Sequence, residues 1–193
     1  MPRRWKSISV ALALLLAPAC TTVSTDTATE APEPTNTSAR ANSAIDGETF
    51  VDPQGTYSLQ IAPDWQANHG TVIAEIEAWL VSTPENGFTP NVNVLTQAIP
   101  EMTLEDYLEL SIEGAPTFIN EFELIDEGII DSSNGHRLAT MHYASGDMQF
   151  LGVFAVSDGQ AIVATLTAPS HRFDPIRDEA MPYLQTLMPL DPE

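Results

Sequence analysis

Three glycine-containing pairs, Asn134-Gly135, Gly146-Asp147 and Asp158-Gly159, punctuate the second half of the chain at even spacing. Each separates two segments rich in apolar and β-branched residues. Glycine beside Asn or Asp adopts the left-handed backbone that tight hairpin turns need. Segments 122–130, 137–144, 149–156 and 161–167 are therefore read as four consecutive antiparallel strands. Such a meander leaves a sheet whose apolar faces must be covered by other parts of the chain.

The rest of the domain supplies shorter strands and two covers. Residues 48–51 read as a strand followed by a turn at Pro53-Gln54-Gly55. Tyr57-Ser58-Leu59-Gln60-Ile61 alternates with the period-two signature of a half-buried strand, and Ala62-Pro63-Asp64-Trp65 ends it. Residues 72–76 fit either a loop or a short strand. Segments 76–81 and 91–98 read as strands on either side of the turn-rich Pro84-Glu85-Asn86-Gly87. Thr103 is placed to cap a helix, with Glu105 and Asp106 at its positive end. Leu104, Tyr107, Leu108 and Ile112 share one face of it, and Ala115-Pro116 marks its expected end. A last helix is expected from Asp174-Pro175, Asp capping and Pro at the first position. Its apolar stripe is Ile176, Ala180, Tyr183, Leu184 and Leu187, with a kink at Pro182. The expected class is α+β, an antiparallel sheet with helices packed on it, over residues 48–193.

Residues 1–19 have the layout of a secretory leader. Arg3, Arg4 and Lys6 form a basic start, and residues 8–19 form an apolar run broken by Pro18. That run is short of the roughly 20 apolar residues a membrane span takes. Ala17-Pro18-Ala19 suits ordinary signal cleavage, and the same bond precedes Cys20, the chain's single cysteine. Leu14-Leu15-Leu16-Ala17-Pro18-Ala19-Cys20 resembles a bacterial lipobox, although Ala17 stands where Leu is usual. The expectation is cleavage before Cys20 and acylation of its thiol. That anchors the protein to the outer face of the cell membrane, and two acyl chains suffice to hold it there. The alternative is simple secretion with a free thiol. Within residues 20–47, the stretch after Cys20 is rich in Thr, Ser, Ala and Pro and reads as a tether.

Charge narrows the partners. The chain carries 7 basic and 27 acidic residues, a net charge of −20. Loss of the leader leaves Arg40, Arg137, Arg172 and Arg177 as the basic residues and no lysine. Nucleic-acid binding by phosphate neutralisation has no basic cluster to use, and docking on anionic head groups is disfavoured for the same reason.

Segment 57–65 resembles the early strand and Pro-to-Trp corner of PsbP-like domains. Pro90-Asn91-Val92-Asn93-Val94, Thr103-Leu104-Glu105-Asp106-Tyr107, the meander and the final helix together resemble the actinobacterial LpqN lipoprotein family and its DcrB-like relatives. The likeness spans about residues 50–187. It implies an α/β/α sandwich built on an antiparallel sheet, in an envelope lipoprotein, and it brings no catalytic residues with it.

The residues themselves point the same way. His136 and His142 share a strand face but stand about 20 Å apart, too far for one ion. His69 and His171 fall in separate loops. With one cysteine and no H-x-x-x-H spacing, zinc has no support. Glu105, Asp106, Glu109 and Glu113 read as a solvated helix face, since no D-x-D-x-D-G calcium loop is present. There is no G-x-S-x-G elbow for a serine nucleophile and no phosphate-binding glycine loop. No catalytic residue, metal site or cofactor is expected. Trp65 and Trp79 both read as core aromatics. The residues weighed for binding are Trp65, at a turn, and Asn91 and Asn93, which alternate with Val92 and Val94 and could line a groove. The expected function is a non-enzymatic binding or scaffold domain for an envelope protein, lipid or glycan. The alternatives are a carboxylate-dependent hydrolase and an extracytoplasmic cation-binding module.

Overall fold

The computed structural model describes residues 47–69, 76–80 and 88–190, with only the backbone described at 67–69 and 76–80. The leader, Cys20, the tether and the Pro84-Gly87 turn lie outside these residues. The described elements run β1 (Glu48–Val51), β2 (Tyr57–Ile61), β3 (Trp65–His69), β4 (Ile76–Leu80), β5 (Asn91–Ala98), α1 (Leu104–Phe118), β6 (Phe122–Asp131), β7 (Arg137–Ser145), β8 (Met148–Ser157), β9 (Gln160–Pro169), α2 (Phe173–Leu184) and β10 (Met188–Pro189). They form an antiparallel seven-stranded sheet in the order β3-β4-β5-β9-β8-β7-β6 and a three-stranded sheet in the order β1-β2-β10. The α+β class read from the sequence is the one observed.

The meander is as expected in its tightest turns. Ser157 pairs with Gln160 and Ser145 with Met148, so two residues make each connection. At Asp158-Gly159 both φ angles are positive, 47° and 73°, the conformation that matches the strand twist. The first connection is longer than the Asn134-Gly135 pair suggests, because Asp131 pairs with Arg137. Five residues fill the gap around the Ser132 hydroxyl, which accepts from the Asn134 and His136 amides at 3.2 and 2.9 Å. This loop leans on the end of α2: Ser133 N donates to the Gln185 carbonyl at 2.9 Å, and Asn134 Nδ2 to the Thr186 carbonyl at 3.3 Å. His136 therefore sits in the loop, off the strand that holds His142.

Strand alternation sorts the large sheet into two faces. Val153, Ala155, Ile162 and Ala164 pack on the side of α2 and the small sheet. Phe150, Phe154, Ala161 and Val163 pack on the side of α1. Over residues 150–155 of β8 and 161–164 of β9 both faces are thus apolar and buried. A helix on each face answers that demand, and β1-β2-β10 extends the cover beside α2.

Local signals set most element ends. Thr103 caps α1 through a reciprocal pair, its Oγ1 accepting from the Asp106 amide at 3.1 Å and its own amide donating to Asp106 Oδ2 at 3.4 Å. The helix runs past Ala115 to Phe118, carrying Pro116 within it. In α2 the expected Asp174 cap is not used. A 3-10 turn, Ser170–Arg172, feeds directly into a helix starting at Phe173, and Asp174 lies inside the first turn. The helix stops at Leu184, two residues after Pro182, and Leu187 is buried beyond it. The β1–β2 turn is built on Asp52, 4% exposed. Its Oδ2 accepts from the Gln54 amide, the Thr56 amide and the Thr56 hydroxyl at 3.1, 3.2 and 2.7 Å. Gly47 leads into β1 because a β-carbon there would lie 2.5 Å from the Ile61 carbonyl oxygen.

Phe154 lies edge-on to Tyr107 of α1 at 5.7 Å and is 1% exposed. Phe154→Ala should lower the unfolding free energy by about 3–5 kcal/mol, measured by urea denaturation. A loss below about 1 kcal/mol would mean that α1 is not held through this ring.

Candidate binding face

On the α1 side, rows of residues cross the sheet and change character along the way. One row runs Asn91, Thr167, Phe150, Tyr143, and the next runs Asn93, Thr165, Gly152, Met141. Each begins polar at β5 and β9 and ends apolar at β8 and β7. Helix α1 rests over β6, β7 and β8, where Tyr107, Leu108, Ala115 and Ile119 meet Met141, Tyr143, Phe150 and Phe154. Among the described residues no helix lies over the polar end. Asn91, Asn93 and Thr165 are half-buried there and Thr167 is buried.

The two asparagines are ordered by each other. Asn93 Nδ2 donates to Asn91 Oδ1 at 3.0 Å, and Asn91 Nδ2 donates to the Thr89 carbonyl at 3.1 Å. Alternation in β5 places them on one face because Val92 and Val94 take the other. Across β4, Trp79 lies opposite Asn91 and Glu77 opposite Asn93. Gln66 of β3 follows opposite Trp79 and is exposed. The Thr165-Leu166-Thr167 alternation was present in the sequence, but only strand pairing sets these threonines beside the asparagines. At the helix border, the Tyr107 hydroxyl donates to Gln97 Oε1 at 3.3 Å.

Trp65 is not part of this group. It begins β3, a strand where the sequence reading had ended one and put His69 in a loop. The ring is buried on the α2 side, and its Nε1 donates to Glu179 Oε1 of α2 at 3.0 Å. Around it Leu59, Ile61, Val92, Ala180 and Leu184 line a crevice of about 20 Å³, room for about one water. The side chain of Trp79 lies outside the described ones.

The other candidates are dispersed. His142 stacks on Phe173 at 4.6 Å and its Nε2 is 3.0 Å from Gln149 Oε1. Glu105, Asp106, Glu109 and Glu113 are exposed. The Glu105 carboxyl is held below the usual carboxylate range by its own backbone amide at the helix start, then by Arg137 at 2.7 Å. Among the described residues no group of three or more His, Asp or Glu side chains gathers where it could hold a metal. None of their helices is long and apolar enough to cross a membrane. What the polar end offers is amides and hydroxyls for hydrogen bonding.

No sequence-family model matches the chain, and no curated protein sequence matches it. Solved structures do. PsbP of the cyanobacterium Synechocystis has a TM-score of 0.54 at 15% identity, over 79% of this chain and 98% of that one. LpqN of Mycobacterium tuberculosis has a TM-score of 0.54 at 12% identity, over 77% and 88%. The Ran-binding protein Mog1p of Saccharomyces cerevisiae has a TM-score of 0.53 at 8% identity, over 77% and 97%. The fold is PsbP-like.

Two tyrosines where α1 meets the sheet, Tyr107 of the helix and Tyr143 of β7, allow separate tests. The Tyr143 hydroxyl is buried with no hydrogen-bond partner among the described residues, and burial raises its pKa. An unmet buried hydroxyl costs about 1–3 kcal/mol. Tyr143→Phe should therefore leave the urea midpoint unchanged or raise it; a clear drop would reveal a partner. Burial, offset in part by Ser111, pushes the Tyr107 pKa from 10.0 to about 12. Its folded pKa exceeds its unfolded one, so this contribution to stability is whole below about pH 10 and lost as pH rises through 12. In Tyr107→Phe the fall in stability over that window should be shallower.

Proposed function

We propose that this chain is an exported envelope lipoprotein, anchored through Cys20. Its PsbP-like domain is a non-enzymatic binding module for a hydroxyl-rich ligand, an envelope glycan above all. The observation that carries this reading is the half-buried Asn91–Asn93 pair with Thr165 on the stretch of sheet that α1 leaves uncovered. Side-chain amides each offer two donors and an acceptor, and threonine hydroxyls do both. That suits neighbouring sugar hydroxyls. The basic start, apolar run and Cys20 support the address. LpqN is described as involved in cell envelope biogenesis and Mog1p as Ran-binding; roles in the envelope and in binding on this fold support the same reading.

The two halves of the proposal are tested apart. In detergent phase partitioning the native protein should enter the detergent phase and Cys20→Ser should stay in water; both in water removes the anchor. For the ligand, the protein is titrated with envelope oligosaccharides while amide exchange is followed. Protection should rise along β5 and β9, and Asn91→Ala with Asn93→Ala should weaken binding by roughly tenfold or more. Equal binding by the double variant, or protection confined elsewhere, sinks the assignment of this face.

A further inference from the structure

Strand β6 is the outer strand of the large sheet and pairs only with β7 among the described residues. Outer strands carry unpaired amides and carbonyls that can accept another strand. At ten residues, β6 is as long as the central strands β8 and β9. It is open to solvent over the whole of 123–127. That stretch holds Leu124 and Ile125, 38% and 47% exposed, and Phe118 at the end of α1 is 53% exposed. The register shifts between Leu124 and Asp126, where the sheet is locally irregular.

Charge selects what can pair here. From residue 118 to 136 the chain has Glu121, Glu123, Asp126, Glu127 and Asp131 and no Lys or Arg. Glu123, Asp126, Glu127 and Asp131 lie on the strand itself. Two copies joined edge to edge would set these carboxylates against their like, which is destabilising. An extended segment that alternates basic and apolar residues meets the opposite conditions. Its backbone completes the ladder, its cations face Glu123 and Asp126 on one face of the strand, and its apolar side chains lie beside Leu124 on the other.

We propose that β6 is a docking edge for an extended basic segment of a partner protein, added as an eighth strand. The acidic side chains then serve twice: they keep copies of the chain apart and they choose the partner. This edge is separate from the Asn91–Asn93 face, so either assignment can fail alone.

The test uses the full chain in detergent and three synthetic peptides: alternating Lys-Val, the same peptide N-methylated along one edge, and alternating Glu-Val. The Lys-Val peptide should bind, weaken with salt, and slow amide exchange along β6. N-methylation should abolish binding, and the Glu-Val peptide should not bind. Replacing Glu123 and Asp126 by Lys should weaken the Lys-Val peptide by roughly tenfold and admit the Glu-Val peptide. Both residues are exposed surface positions, so the variant is expected to fold, and unfolding by urea checks this. Equal binding of the N-methylated peptide overturns the proposal, since charge alone would then hold it. Protection away from β6, no binding of the Lys-Val peptide, or a β6-protected dimer of the chain overturns it equally.

Discussion

The middle of two neighbouring strands, apolar on both faces, sets the terms for this fold. In β8 and β9, Val153, Phe154, Ala155, Ile162, Val163 and Ala164 are all at most 3% exposed. Burying one face alone would leave half of these side chains in water, at about 25 cal/mol for each Å². Each face therefore needs a cover, and the described residues include an amphipathic helix before the meander and another after it. The layers of the molecule follow from that arithmetic.

The same constraint explains why one region of sheet is polar. A helix with its side chains is about 10–12 Å wide, while seven strands span roughly 29 Å. One helix cannot cover a face of that width. On the α2 side the shortfall is met by β1-β2-β10, whose Tyr57, Leu59 and Ile61 join the core. On the α1 side no second cover is described, and the rows that cross the sheet turn from Phe and Met to Thr and Asn where the helix ends. The polarity of Asn91, Asn93 and Thr165 and the position of α1 are two expressions of one geometric fact.

Electrostatics acts at the rim of this frame. Two of the domain's basic residues lie next to acids: Arg137 with Glu105, and Arg177 with Asp174 and Asp178. These pairs are partly or largely solvent-exposed and contribute little to stability. Their consequence is that whole stretches of surface, the β6 edge among them, are left with a single sign of charge. That bears on which molecules approach.

Much of the architecture was legible because it depends on neighbours in the chain. Turn pairs such as Asp158-Gly159 act over four residues, the Thr103 cap over three, and the β5 alternation over two. These local rules gave the meander, α1 and the facing of Asn91 with Asn93, and from them the α+β class. Other features needed contacts between distant residues. β3 hides behind Pro63 and is recognised by its pairing with β4. β10 is two residues long and exists because Met188 and Pro189 lie beside β2. The Ser132–His136 loop takes its length from bonds to Gln185 and Thr186 at the end of α2. Trp65 reads as a core aromatic or as a cleft aromatic at a turn, and the choice falls to what packs on the ring, here Glu179 and the α2 layer. Local sequence thus determined which segments are strands or helices and which side chains share a face. Tertiary structure alone decided which faces were covered, because cover depends on where a helix comes to rest across a sheet wider than itself.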